Sequence, residues 1–158
     1  MSRISEVFAK LKSKGRGGFI PFITAGDPDL SATENLLCEL AEAGADIIEV
    51  GVPFSDPVAD GPVIQRASQR ALAGGTTIKS VLDCITVAKR RTSVPIVLFS
   101  YYNPLLQFRL LAAAQRAGVD AILVTDLIPE EAGAGRQRSR RTISILFSSL
   151  RRRQVSNA

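Results

Sequence analysis

Two carboxylates stand in unusual places within the stretch DIIEVGVPFSDPVADGPVIQ, residues 46–65. Glu49 interrupts an apolar run. Asp60 follows a Pro/Ser/Asp loop and precedes Gly61. Burial raises a carboxylate's pKa and lets it carry a proton near neutral pH. Two carboxylates in different environments can then divide acid and base roles. The chain has no histidine, so proton transfer near neutrality falls to carboxylates, tyrosine, lysine or backbone groups. Asp27, Asp56, Tyr101 with Asn103, and Asp126 also follow apolar runs. A purely structural alternative stands beside this reading. Glu49 would be ion-paired inside the fold, and Asp60 would cap a helix beginning near Pro62. Ser-Asp-Pro around Asp56 is an ordinary turn, and Tyr101 and Asn103 also suit a loop shaped ahead of Pro104.

These residues need elements to hold them. The pattern predicts a helix over 2–14, a buried strand over 19–24, and a helix opened by a Ser31/Glu34 capping box and stopped at Gly44. A second strand follows at 46–52, then helices at about 62–73 and 77–91. The third strand is VPIVLFS, the next helix covers NPLLQFRLLAAAQRAG, and DAILVTD is the fourth strand. The strands read as continuous Val/Ile/Leu runs, which marks strands buried on both faces of a parallel sheet. The class is α/β. An open doubly wound sheet and a (β/α)₈ barrel both fit. The first strand-to-helix turn, TAGDPDLS, lacks a GxGxxG pattern, which weakens a dinucleotide-binding fold. Both architectures place function at the C-terminal ends of strands, where the polar candidates fall. In a barrel, Ile47, Glu49 and Gly51 share the inner face, and Ile48 and Val50 pack on helices.

The 158 residues suffice for one ordinary domain, and 46% hydrophobic with 22% charged residues is a globular composition. No apolar run approaches the ~20 residues that span a bilayer, and the N-terminus lacks a signal-peptide core. Cys38 and Cys84 are the only cysteines, each in a predicted helix without metal-ligand spacing. A reducing cytoplasm is the simplest setting. The net charge of +5 is uneven: seven arginines and no acid lie in residues 136–158, so the rest of the chain is mildly acidic.

The motif IEVGVPFSDPVADGPVIQ, with PFITAGDPD before it and YYNP and GVDAILVTDLIPEE after it, resembles the tryptophan synthase alpha chain over roughly residues 1–134. The resemblance implies a TIM (β/α)₈ barrel that splits indole-3-glycerol phosphate into indole and glyceraldehyde 3-phosphate. It implies Glu49 as proton shuttle and Asp60 as hydrogen-bond acceptor for the indole N–H. Phe22, Tyr101, Leu123 and Thr125 match positions around the indole. Pro53, Asp56 and Asn103 match the surface that meets a beta chain, in an alpha2-beta2 assembly. No metal or organic cofactor, nucleic acid or membrane is implied.

Two departures from the family pattern stand out. The segment between Pro104 and Gly118 is about 3–4 residues short, roughly one helical turn. After about Ala134 the pattern is lost, whereas a barrel has eight strands over ~250 residues. Only the first four βα units are expected, a half-barrel without the phosphate-binding loops after strands 7 and 8. Residues 135–158 form a basic tail expected to lie outside the barrel. Its codons can be chosen so that another frame reads AAAVAPHDLDTIFLAAPTSSVER, similar to the family's fifth strand, which points to a frameshifted or truncated product. A non-catalytic remnant that keeps the beta-chain-binding loops is one alternative. A nucleic-acid-binding protein using the basic tail is another.

Overall fold

Short β-branched and aromatic runs separated by capped helices build a parallel sheet. The computed structural model describes residues 2–107, 110–126 and 144–147. In chain order the elements are α1 (Arg3–Ser13), β1 (Phe22–Thr24), α2 (Leu30–Glu42), β2 (Ile48–Gly51), α3 (Pro62–Ala73) and α4 (Ile78–Ala88). They continue with β3 (Ile96–Ser100), α5 (Tyr102–Gln107), α6 (Leu110–Arg116), β4 (Ala121–Val124) and β5 (Ser144–Phe147). The strands lie side by side in sequence order, and every neighbouring pair is parallel. Sequential order decides between the two sheets that the sequence allowed. A doubly wound sheet reverses its order at a switch point, and a barrel does not.

The period-2 alternation of strand side chains separates two apolar layers. Ile48, Val50, Ile96, Leu98, Ile122 and Val124 face outward and pack with Leu37 of α2, Val81 and Ile85 of α4, and Ala114 of α6. Ile47, Val97 and Ala121 face inward and pack against Ile4 of α1. Helix α1 therefore closes the N-terminal end of the half-barrel. Asp120 secures the same end. Its carboxylate accepts from Arg3 Nη1 at 2.9 Å, Lys89 Nζ at 3.1 Å and the Ile96 amide at 2.9 Å. Among the described residues no single helix is long and apolar enough to cross a membrane.

Several expectations are corrected. Helix α2 is capped by Asp29, whose side chain accepts from the Ala32 amide, and not by a Ser31/Glu34 box. Asp29 lies two residues earlier and already satisfies a free amide of the first turn. The single helix expected after β3 is two helices, α5 and α6, with residues 108–109 outside the described residues. Among the described residues a fifth strand joins the four expected. Ser144–Phe147, within the segment set apart as a tail, pairs in parallel with β4 from Ala121↔Ser144 to Val124↔Phe147. The run ISILF has strand composition, and the outer edge of β4 offers a row of backbone groups to pair with. The remainder of the tail, residues 135–143 and 148–158, lies outside the described residues.

Candidate active site

Strand β2 delivers Glu49 to the inner face. Its register partners are Phe22 of β1 and Val97 of β3. The residue is half-buried, and burial alone raises its pKa. Among the described residues no hydrogen bond or ion pair reaches its carboxylate, so none of them supplies the internal ion pair of the structural alternative.

The loop after β2 folds back over the strand ends and brings Asp60 to the mouth. Asp60 does not cap α3. Gly61 is the cap residue, without a side-chain bond, and Pro62 supplies the fixed φ of the first turn. Asp60 instead accepts a hydrogen bond from the Tyr101 hydroxyl at 3.0 Å. The same hydroxyl oxygen accepts from the Ala59 amide at 3.0 Å. The Tyr101 ring stacks on Phe54 with centroids 4.8 Å apart, and Gln65 Nε2 donates to the Asp60 carbonyl at 3.0 Å. Tyr101, at the end of β3, thus holds the β2 loop from below. Its phenol is pushed up to about 12, first by burial and then by the hydrogen bond to Asp60, against the opposing effect of the Ala59 amide.

Phe22, Thr24, Asp60, Ile64, Ser68, Phe99 and Tyr101 line a cavity of about 10 Å³, room for roughly one water. Gly51 is required beneath it. A Cβ there would lie 2.6 Å from Phe22 Cζ, so the missing side chain makes room for the ring. Phe22 then meets Phe99 edge to face with centroids 5.4 Å apart. Glu49 does not line this cavity. It lies two residues before Gly51 on the same face, and Phe22 is both its register partner and a cavity wall.

The remaining candidates separate by surroundings. Leu123 is half-buried on the inner face, in register with Phe99. Thr125 is buried just beyond β4, and its hydroxyl has no hydrogen-bond partner among the described residues. Pro53 is buried, whereas Asp56 is exposed on the loop after β2 and Asn103 is exposed in the first turn of α5. Asp27 makes a two-pronged pair with Arg70 of α3, at 2.9 and 2.7 Å, and the Arg70 guanidinium holds its carboxyl below the usual range. Asp126 accepts from the Tyr102 amide at 2.7 Å. Asp27 thus ties the loop after β1 to α3, and Asp126 ties the end of β4 to the start of α5. Thr24, Ile64, Ser68 and Phe99 were missed from sequence. The period of two from Phe22 to Thr24 and the i, i+4 spacing of Ile64 and Ser68 were the available signals.

The tryptophan synthase alpha chain family model matches residues 8–147. The tryptophan synthase alpha chain of Geobacter sulfurreducens is 58% identical over 135 residues, covering 84% of this chain and 51% of the relative. The tryptophan synthase subunit alpha of Legionella pneumophila superposes with a TM-score of 0.81 at 41% identity, over 84% of this chain and 52% of that one. Tryptophan synthase from M. tuberculosis, in an aminoacrylate-bound form, superposes with a TM-score of 0.83 at 32% identity, over 93% of this chain and 61% of that one. The chain spans about half the length of the curated relatives it matches. Sequential parallel strands, an inward acid on β2 and an extended family match converge: this chain belongs to the tryptophan synthase alpha chain family.

Proposed function

We propose that this chain carries the N-terminal half of a lyase site that splits indole-3-glycerol phosphate into indole and glyceraldehyde 3-phosphate. The observation that supports it is a half-buried Glu49, without a side-chain partner among the described residues, beside a cavity in which Tyr101 orients Asp60. The retro-aldol step needs C3 of the indole ring protonated. A glycerol hydroxyl must then lose its proton as the carbon–carbon bond breaks. A carboxylate whose pKa is raised by burial suits that shuttle, and Glu49 is assigned to it. Asp60 accepts the indole N–H and balances positive charge developing on the ring. Phe22, Tyr101, Leu123 and Thr125 are assigned to the ring's surroundings. The cavity holds about one water, so entry of an indole requires the loop carrying Asp60, or the Phe22 ring, to move.

Pro53, Asp56 and Asn103 are proposed to meet a beta chain that receives the indole, in the cytoplasm. Positioning contributes roughly 7–11 kcal/mol to such reactions, and the family's phosphate-binding loops follow strands 7 and 8. Low turnover by the 158-residue chain alone is therefore expected. Residues 1–134 are proposed as the family half and 135–158 as an out-of-frame segment. DNA sequencing around codon 135 tests that division.

The decisive experiment fuses residues 1–126 to the matching C-terminal remainder of the Geobacter sulfurreducens relative. The fusion is expected to cleave indole-3-glycerol phosphate, and Glu49→Gln to abolish turnover while leaving the circular dichroism unchanged. Turnover retained in the glutamine variant would remove the shuttle from Glu49.

A further inference from the structure

We propose that Asp27 and Arg70 are positioning residues of the site: their ion pair sets helix α3, with Asp60 just ahead of it, against the β1 wall of the cavity. The two walls have different origins. Phe22 and Thr24 come from β1, and Ile64 and Ser68 come from α3. The ladder to β2 fixes β1. Helix α3 lies outside the sheet, so its distance from β1 must be set by other contacts. Ile64 and Ser68 share one face of α3 through their i, i+4 spacing, and Arg70 follows two residues later. The inference deepens the lyase reading, on which only its turnover measurement rests.

Both ends of the ion pair are held. The Asp27 amide donates to the Thr24 carbonyl at 3.4 Å, and the neighbouring Gly26 amide donates to Thr33 Oγ1 of α2 at 2.9 Å. The carboxylate therefore stands on a turn anchored to the cavity wall. Arg70 Nε and Nη2 each donate to one of its oxygens, at 2.9 and 2.7 Å. Two such bonds fix orientation as well as distance, which a single ammonium does not. Among the described residues this is the one ion pair that α3 makes. Near the other end of the helix, Gln65 Nε2 donates to the Pro57 and Asp60 carbonyls at 3.3 and 3.0 Å. A displacement at Arg70 thus passes along α3 to Ser68, Ile64 and the loop that carries Asp60. Stability is not what the pair supplies. The Arg70 side chain is 60% exposed, and exposed pairs contribute little to it. Ala67 and Ala71 bury the helix instead, so the fold survives loss of the pair while the alignment of α3 does not.

The Ala59 amide, which donates to the Tyr101 hydroxyl, reports this alignment in the 158-residue chain itself at neutral pH. Arg70→Lys keeps the charge and removes the second prong. Hydrogen exchange at Ala59 is expected to speed by about tenfold or more in this variant, with far-UV circular dichroism unchanged. Exchanging the partners, Asp27→Arg together with Arg70→Asp, is expected to restore slow exchange. Lys79→Ala breaks the exposed pair with Asp83 and is expected to leave Ala59 as it was. In the fusion carrying residues 1–126, Arg70→Lys is expected to lower kcat by about tenfold or more with a smaller change in KM. Exchange at Ala59 as slow in Arg70→Lys as in the parent, no recovery in the exchanged pair, or loss of the far-UV signal on Arg70→Lys would each overturn the proposal. A parent fusion without turnover would count against the lyase reading alone, because exchange at Ala59 decides the positioning role by itself.

Discussion

Replacing Tyr101 with phenylalanine isolates one oxygen atom. The ring stays, and so does its stacking on Phe54. Two hydrogen bonds go: the one donated to Asp60 and the one accepted from Ala59, both 3.0 Å. The first ends on a carboxylate, and bonds to charged groups contribute about 1.5–3 kcal/mol. The second is recovered in part, because Ala59 is exposed and water can take the amide. A net loss of about 2 kcal/mol is expected, a urea midpoint lower by roughly 1 M for a domain of this size. The effect also depends on pH. The folded phenol titrates near about 12, above the ordinary 10, so folding favours the neutral form. That contribution is complete below about pH 10 and is lost as the pH rises toward 12. The stability difference between the parent and Tyr101→Phe should shrink across this window. The chain has no tryptophan and two tyrosines, so tyrosinate absorbance follows the step directly. A midpoint unchanged by the substitution, or a high-pH step that survives it, would refute the claim that Tyr101 holds the Asp60 loop.

Three further outcomes are expected. Gly26→Ala should destabilise by about 3 kcal/mol or more, since Gly26 has φ +83° and an added Cβ would lie 2.0 Å from Thr76 Oγ1; chemical denaturation measures it. Glu49→Gln should raise stability at neutral pH. Burial lifts the folded carboxyl above its ordinary 4.5, so ionising it costs stability as the pH rises through that region, and the gain should vanish in melts taken below about pH 4.5. Asp120→Asn should cost about 3–5 kcal/mol by urea titration, because it leaves the largely buried Lys89 without its counter-charge.

Much of the site could be read along the chain. The alternation of Ile47, Glu49 and Gly51 against Ile48 and Val50 placed the acid on the inner face, because pleating leaves a strand no other choice. The loop from Pro53 to Gly61 announced itself by its turn residues, and Pro62 and Thr77 marked where helices begin. The long motif around Glu49 and Asp60 carries the family resemblance in the sequence itself, and the family match agrees with it. These are local properties, written in residue type and spacing.

Contacts between segments distant in sequence were not legible. That Asp60 binds Tyr101, forty-one residues away, and does not cap the helix that follows it, depends on β3 lying beside β2. That Glu49 finds no partner among the described residues depends on Phe22 and Val97 being its neighbours across the sheet. Asp27 looked like a site residue until Arg70 was found to hold it, and Ser144–Phe147 looked like tail until the edge of β4 paired with it. Residue type and spacing determined which groups could do chemistry and which face each would take. Only the tertiary structure decided which of them are already engaged, because a hydrogen-bond partner is chosen by proximity in space and not by distance along the chain.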